Sequence, residues 1–267
     1  MSFIIDLLRQ ALIFGEFIFN IVTTGTDQAD TGNAFTGTET GIGAVSDATA
    51  TLFLPAAYAF IIWALIFLLR AAFAVYQVLP SQRHNPVLRR VGWWWFANLL
   101  AGGLWTEAFT SRAFTLAWFL ILAQLVTLVA AFIELRDDAR KGRDFWLVRL
   151  PISVNLGWIA VASISNTSQF LKYGIGWTGD PLSEAVWTAL MIIVTVALSA
   201  FMVLKARSIV FGLVVIWALT AIAVNYPDIR LVLGSASIGA AAVALITVIG
   251  WLRSKRTNRQ PPMLATS

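Results

Sequence analysis

Charged side chains inside long apolar stretches are the first candidates for chemistry in this sequence. Arg70 lies deep in an otherwise apolar run, and Asp6 and Glu16 interrupt the first apolar run of the chain. A charge in lipid is costly unless it is paired or hydrated. Arg70 therefore either snorkels toward the headgroups or is held by Glu16 or Asp6 inside a bundle. We predict a structural charge pair between Arg70 and Glu16.

Residues that commonly carry hydrolytic or metal chemistry are scarce. The chain has no Cys and a single His, His84, which lies in a basic loop where a solvated side chain is expected. The spacings typical of a zinc protease, a nucleophilic serine or a phosphate-binding loop do not occur. Catalysis and metal binding need clustered His, Cys, Asp or Glu. We therefore predict no catalytic residue, no metal ligand and no resident cofactor.

Large aromatic side chains are the remaining signal. Many of the twelve Trp residues stand near the ends of apolar runs, as in the interfacial belts of membrane proteins. Others share their runs with small residues and amides such as Gly102 and Asn155, which suits either close helix packing or an apolar ligand pocket. The residues predicted to line such a pocket are Tyr58, Phe60, Trp63, Trp105, Phe109, Trp158 and Asn166.

Membrane-spanning helices must position these residues. Of the 267 residues, 58% are hydrophobic and 12% are charged. Soluble domains carry roughly 25% charged residues, so the composition excludes an ordinary soluble domain. A transmembrane helix needs about 20 mostly apolar residues, and this criterion predicts an all-α polytopic bundle of eight helices. The predicted spans are Phe3–Thr23, Leu52–Leu79, Val91–Phe109, Ala113–Ile133, Phe145–Asn166, Ser183–Leu204, Ile209–Asn225 and Leu231–Leu252.

The distribution of basic residues predicts the topology. Fourteen of the nineteen Lys and Arg residues fall in loops and tails on one side of these spans, and three fall on the other. Cytoplasmic loops carry the excess of Lys and Arg, so both termini are expected in the cytoplasm. The acidic stretch 25–51 then faces outward, either as a flexible connector or as a lid over the pocket, and 253–267 forms a cytoplasmic tail.

Two helical motifs resemble those of a known family. Trp105-x-x-x-Phe109 resembles the helix-three motif of the TspO/translocator protein (peripheral benzodiazepine receptor) family, and Trp158-x-x-x-Ala162-x-x-x-Asn166 resembles its helix-five motif. Residues 55–67 look like the Trp- and Pro-rich start of its helix two. The loop 76–90 is similar to that of the longer bacterial members, the tryptophan-rich sensory proteins.

The resemblance implies a fold and a ligand class. Residues 1–172 would form a five-helix ligand-binding bundle with the outer loop 25–51 as lid, followed by a three-helix extension over 173–252. The ligand would be a porphyrin or other tetrapyrrole, or a sterol-like molecule. Two departures, Ala-Ala-Tyr58 after Pro55 and Gly102 before the helix-three Trp, fall among residues that line the pocket of the family.

Three functions remain open at this point. The favoured one is a sensory protein or receptor in the bacterial inner membrane that binds a hydrophobic ligand. A small transporter with a polar path through Arg70, Glu16 and Glu107 is the first alternative. A membrane enzyme acting on a lipid or isoprenoid is the second. The expected partners are membrane lipids and a hydrophobic small molecule, with a homodimer left open and nucleic acid excluded.

Overall fold

Nine helices account for most of the chain that the structure describes. The computed structural model describes residues 2–30, 41–135 and 142–257, and these contain no strand. The all-α fold predicted from the sequence is confirmed. The helices are α1 Ser2–Asp30, α2 Ile42–Ala48, α3 Ile62–Val78, α4 Pro86–Thr110, α5 Phe114–Glu134, α6 Leu150–Gln169, α7 Glu184–Leu204, α8 Ile209–Asn225 and α9 Arg230–Thr257.

Shorter helical turns adjoin three of these helices. A 3₁₀ turn, Ala57–Ile61, leads into α3, and another, Pro80–Gln82, lies between α3 and α4. A single turn, Gly142–Asp144, and the π-helical turn Phe145–Arg149 precede α6. A second π-helical turn, Phe170–Gly174, follows α6. The helical run around α6 is therefore longer than a typical membrane span.

Each of the eight predicted spans corresponds to one long helix, and the largest differences are at the start of the second, where α3 begins at Ile62 and not at Leu52, and at the end of the first. α1 continues through Asp30, beyond the predicted end at Thr23, and α2 forms within the predicted polar stretch. Residues 31–40 lie outside the described residues. The stretch 25–51 is thus helical at its start and again over Ile42–Ala48.

Local sequence signals explain where two of the helices begin. The Asn85 side chain accepts hydrogen bonds from the backbone N–H of Val87, at 2.9 Å, and of Leu88, and Pro86 occupies the first helical position of α4. An Asn cap followed by Pro suits a helix start, because Pro lacks the N–H that would be unsatisfied there. Ser183 caps α7 in the same way through the backbone N–H of Val186.

Contacts between helix ends show that the long helices alternate in direction. Asp6, at the start of α1, binds Arg89, at the start of α4, and Arg90 Nε donates to the backbone oxygen of Glu134, at the end of α5, over 3.0 Å. We call this end of the bundle the basic end. At the opposite end, the Trp187 indole of α7 donates to Ser168 of α6.

α6 is the central helix of the bundle. Of its most apolar stretch 78% is buried inside the protein, against about one third for α3, α5, α7 and α9. It packs against α3, α5 and α8. Side chains on every face of α6 therefore contact protein, which is why this helix can carry polar residues that a lipid-facing helix cannot.

The last three helices pack directly on the preceding ones. A Cβ at Gly157 of α6 would lie 2.9 Å from Cβ of Val214 in α8, and the backbone N–H of Ala56 donates to the oxygen of Ala221 in α8. The predicted boundary between a five-helix bundle and an extension beginning at residue 173 stays a prediction, and the two parts share an extensive interface.

Five helices of the described residues are long and apolar enough to cross a membrane. They are Ala57–Val78, Phe114–Glu134, Gly142–Gly174, Glu184–Leu204 and Arg230–Lys255, and Ile209–Asn225 is a shorter apolar helix. The outward-facing residues of these helices are largely hydrophobic; Leu68, Ile133 and Phe201 are among the most exposed. Such a surface is suited to lipid and not to water.

Candidate functional site

Four aromatic side chains from three helices form a cluster that we call the aromatic layer. The rings of Trp63 in α3 and Trp105 in α4 are stacked with centroids 6.4 Å apart, and Trp105 stacks on Phe109 at 5.0 Å. Trp158 in α6 meets Trp63 edge to face, at 6.4 Å and 83°. These separations lie within the range of about 4.5–7 Å at which aromatic pairs attract.

Asn166 fixes the orientation of one member of this layer. Its Oδ1 accepts a hydrogen bond from Trp105 Nε1 at 3.0 Å, and its Nδ2 donates to the backbone oxygen of Ala162 at 3.1 Å. The sequence predicted Asn166 as a buried polar contact for a ligand. In the structure it is buried, and its amide holds the indole of Trp105.

A small cavity adjoins the aromatic layer. Its volume is about 30 Å³, which is room for two or three waters at about 10–15 Å³ each. It is lined by Ile42, Ser46, Leu54, Pro55, Phe60, Trp63, Trp105, Phe109, Trp158, Val161, Ala162, Ser165, Asn166 and Gln169. Six of the seven residues predicted from the sequence to line a pocket are therefore brought together here. Drug-sized ligands occupy pockets of about 300–1,000 Å³, so a flat polycyclic ligand requires this site to open.

Tyr58 lies outside this cavity. Its side chain is 44% exposed, and its ring packs edge to face on Trp217 of α8 at 5.3 Å. The sequence predicted Tyr58 as a pocket residue, but within the 3₁₀ segment Ala57–Ile61 its ring is directed to α8 and away from the cavity. We therefore leave Tyr58 out of the proposed site.

Sequence reasoning missed the lining residues of α6 that follow Trp158. Val161, Ala162, Ser165 and Gln169 recur at helical spacing from Trp158 and face the same cavity. Residues at i+3, i+4 and i+7 share one face of a helix, so the periodicity from Trp158 was a usable signal for them. The lining residues Ile42 to Pro55 had no such signal, because they come from the connection between α1 and α3.

Residues 41–56, which we call the capping segment, cover the cavity and are held from α6. The Gln169 amide donates to the Thr49 hydroxyl at 3.2 Å, and Lys172 Nζ donates to the Ala50 backbone oxygen at 3.4 Å. The stretch 25–51, which shares residues 41–51 with this segment, was predicted as either a flexible connector or an ordered lid. These bonds favour the ordered alternative for its described part.

The same segment is also held by α7 and α8. Glu184 accepts from the backbone N–H of Leu52 at 2.8 Å, the Tyr226 hydroxyl donates to the Thr51 oxygen at 2.7 Å, and the Asn225 amide donates to the Leu54 oxygen at 3.1 Å. Burial raises the pKa of the Tyr226 hydroxyl to about 12, and Glu184 nearby acts in the same direction. The hydroxyl therefore stays protonated and remains a donor to the capping segment at neutral pH.

Arg70 lies toward the basic end from the aromatic layer. It is buried; its Nη2 lies 3.4 Å from Asn155 Oδ1, and its guanidinium carbon is 5.9 Å from the centroid of the Phe67 ring. The alternative pairing with Asp6 is wrong, because Asp6 is bound by Arg89 at the basic end. The pairing with Glu16 stays a prediction.

Two other candidates from the sequence are located at the ends of the bundle. Glu107 is exposed near the end of α4, so its carboxylate is solvated there and does not face the cavity. The His84 side chain is 66% exposed, beside Asp6 and Arg89, as expected for a loop histidine. Among the residues that the structure describes, no group of three His, Asp or Glu side chains could hold a metal ion.

Alternating apolar helices around a buried aromatic layer define a polytopic α-helical membrane protein with an internal apolar site. The family model described as TSPO-like protein matches residues 13–250. The chain belongs to this TSPO-like family. The match extends through α7, α8 and most of α9, beyond residues 1–172, which the resemblance covered. Comparison with curated proteins and with solved structures gives no significant match.

Proposed function

We propose that this membrane protein binds a flat hydrophobic ligand between α3, α4 and α6. The stacked rings of Trp63, Trp105 and Phe109, with the edge of Trp158 against them, carry this proposal. Flat conjugated molecules stack on such faces, and each aromatic contact contributes about 0.5–1.5 kcal/mol beyond the buried area. Porphyrins and other tetrapyrroles suit these walls best, and sterol-like molecules are the second ligand class.

Opening of the capping segment is the step that admits the ligand. The cavity is too small for a tetrapyrrole, and the segment that covers it is held by several hydrogen bonds and by the buried side chains of Phe53 and Leu54. Each hydrogen bond contributes about 1 kcal/mol, and exposing one of these apolar side chains costs about 1.5–3 kcal/mol. Separation of residues 49–56 from α6, α7 and α8 would expose the aromatic layer without disturbing the long helices.

A sensory or receptor role fits this arrangement better than transport. A transporter was the first alternative, with a path through Arg70, Glu16 and Glu107. Glu107 is exposed near the end of α4 and does not line the cavity at the aromatic layer. Substrate-dependent flux in sealed vesicles would favour the transporter, whereas saturable stoichiometric binding without turnover would favour the sensor. Turnover of the bound ligand would favour an enzyme.

The proposed setting is the bacterial inner membrane with both termini in the cytoplasm. The excess of Lys and Arg at the basic end supports this orientation. Membrane lipids are then partners of the outward-facing apolar residues, and a homodimer is the assembly to test against a monomer.

Quenching of intrinsic Trp fluorescence by protoporphyrin IX tests the proposal. The purified protein should be quenched saturably, and Trp105→Ala and Trp158→Ala should each weaken binding several-fold without loss of helical signal. Trp251→Ala is the matched control, because Trp251 is 45% exposed and lies near the end of α9. Equal weakening by Trp251→Ala would mean bulk partitioning into the detergent and would overturn the proposal.

A further inference from the structure

Four polar side chains from four helices meet in a layer next to the aromatic layer, on the side of the basic end. They are Arg70 in α3, Asn98 in α4, Gln124 in α5 and Asn155 in α6, with exposed fractions of 4%, 0%, 1% and 0%. We call them the polar layer. Polar groups this deep in a membrane bundle are costly, so their retention points to a role in binding or in specific packing.

Hydrogen bonds connect the members of the polar layer in a chain. Asn155 Oδ1 accepts from Arg70, Asn155 Nδ2 donates to Asn98 Oδ1 at 3.1 Å, and Asn98 Nδ2 donates to the backbone oxygen of Gln124 at 3.2 Å. Gly102 of α4 gives the Gln124 side chain room, because a Cβ there would lie 3.3 Å from Gln124 Oε1. The glycine thus makes room for the Gln124 amide. It does not enlarge the cavity, which was one of the two alternatives that the sequence left open.

The layer has more donors than acceptors. Arg70 Nε and Gln124 Nε2 are buried and have no hydrogen-bond partner. Both are N–H donors, and one of them belongs to a cation. A buried donor without an acceptor costs about 1–3 kcal/mol. The complement of these two donors is an acceptor, and a carboxylate is the acceptor that best matches the guanidinium of Arg70.

The ring of Phe67 separates the Arg70 guanidinium from the aromatic layer. Arg70 follows Trp63 by two turns of α3, and long helical side chains lean toward the helix amino terminus, which here is the cavity end. The Phe67 ring lies 5.9 Å from both the Trp63 ring and the Arg70 guanidinium. On α6, Asn155 precedes Trp158 by a single turn.

We propose that Arg70, with the amides of the polar layer, binds the carboxylate of an otherwise hydrophobic ligand whose ring system stacks in the aromatic layer. This inference rests on the proposed ligand-binding function and narrows the ligand to a hydrophobic anion. An Arg fork matches the geometry of a carboxylate with two parallel N–H donors. In the structure, Asn155 supplies Arg70 with a weaker neutral acceptor at 3.4 Å.

A pair of ligands that differ only in charge tests this proposal on the unaltered protein. Protoporphyrin IX carries two carboxylates, and its dimethyl ester keeps the same ring system without charge. Trp quenching titrations of the detergent-solubilised protein should show saturable binding of both, with the acid tighter by about tenfold or more, since a charge-assisted hydrogen bond is lost in the ester. Equal affinities would overturn the carboxylate site and leave the aromatic pocket standing. Saturable binding of neither would overturn both proposals.

Two Arg variants test whether Arg70 is the residue that distinguishes the acid from the ester. Arg70→Met should reduce the acid-to-ester affinity ratio to about one. Arg9→Met is the matched control, because Arg9 is also a buried Arg but lies beside Asp6 at the basic end, and it should keep the ratio of the parent. A ratio that persists in Arg70→Met, or is lost equally in Arg9→Met, would overturn the role of Arg70. If Arg70→Met does not fold, the acid and ester titrations of the unaltered protein still decide whether the protein has a carboxylate site.

Discussion

Lys172 and Glu184 form an ion pair, with Nζ 3.2 Å from Oε2, that joins the chain just beyond α6 to the start of α7. Both residues also bind the backbone of the capping segment, Lys172 at the Ala50 oxygen and Glu184 at the Leu52 N–H. The pair therefore connects two helices and holds the cover of the cavity at the same point.

Loss of Glu184 should speed ligand entry. Glu184→Ala removes the ion pair and the acceptor for Leu52, so the capping segment opens more often. We expect protoporphyrin IX to associate several-fold faster in stopped-flow Trp quenching, with a loss in unfolding free energy of about 1 kcal/mol. Glu107→Ala, at an exposed carboxylate near the same end, is the control. An unchanged association rate in Glu184→Ala would exclude a gating role for this contact.

The Tyr226 hydroxyl should make the stability of the protein sensitive to high pH. Because its pKa is raised to about 12 in the folded chain, from an ordinary value of about 10, the unfolded chain loses this proton first as the pH rises. The contribution of the Tyr226 hydroxyl to stability is therefore complete below about pH 10 and is lost between about pH 10 and pH 12.

Tyr226→Phe isolates this contribution. The variant lacks the hydrogen bond to the Thr51 oxygen and should be less stable at neutral pH by about 1 kcal/mol. Thermal unfolding in detergent from pH 8 to pH 11.5 should show the difference between variant and parent shrinking with pH. A constant difference across this range would contradict the assignment.

Gly157→Ala should disrupt the packing of α6 on α8. The added Cβ would lie 2.9 Å from Cβ of Val214 and 3.5 Å from the Phe211 backbone oxygen, so a helix must shift. Overpacking of this kind costs about 1–3 kcal/mol. Gly234→Ala in α9 is the control, because nothing lies within 4 Å of its Cβ position and Ala favours the helix. A melting temperature of Gly157→Ala at or above that of the parent would rule out this interface.

Single cysteines can establish the orientation in the membrane, because the chain has no native Cys. Thr178 is exposed near the cavity end, and Ser81 is exposed at the basic end. In intact cells, Thr178→Cys should react with a membrane-impermeant maleimide and Ser81→Cys should react only after permeabilisation. The reverse labelling pattern would invert the predicted topology.

Helix positions and most of the site followed from the sequence because they depend on local patterns. Apolar runs of sufficient length predicted the eight long helices, and helical spacing placed Trp105 near Phe109 and Trp158 near Asn166. The capping contacts depend on residues far apart in sequence, such as Gln169 with Thr49 and Tyr226 with Thr51. No local pattern encodes such pairs.

Arg70 shows a second limit of prediction from a single sequence. Its depth in the span was evident, but the direction of its side chain around the helix axis was not. The acids of the first span were therefore considered as partners, whereas Asp6 is bound by Arg89 and Arg70 contacts Asn155. Tyr58 was misplaced for a related reason, since its ring packs on Trp217 of α8, a helix far away in the sequence.

The attachment of the capping segment to α7 and α8 has a thermodynamic consequence at a distance from the cavity. If the segment stays away from Glu184 and Tyr226 while a ligand is bound, then ligand binding and the contacts of these two helices are linked equilibria. A molecule that favours the closed contacts by a given factor would then lower the affinity for the ligand by that same factor. The ends of α7 and α8 that hold the capping segment would thus transmit ligand binding to the last three helices.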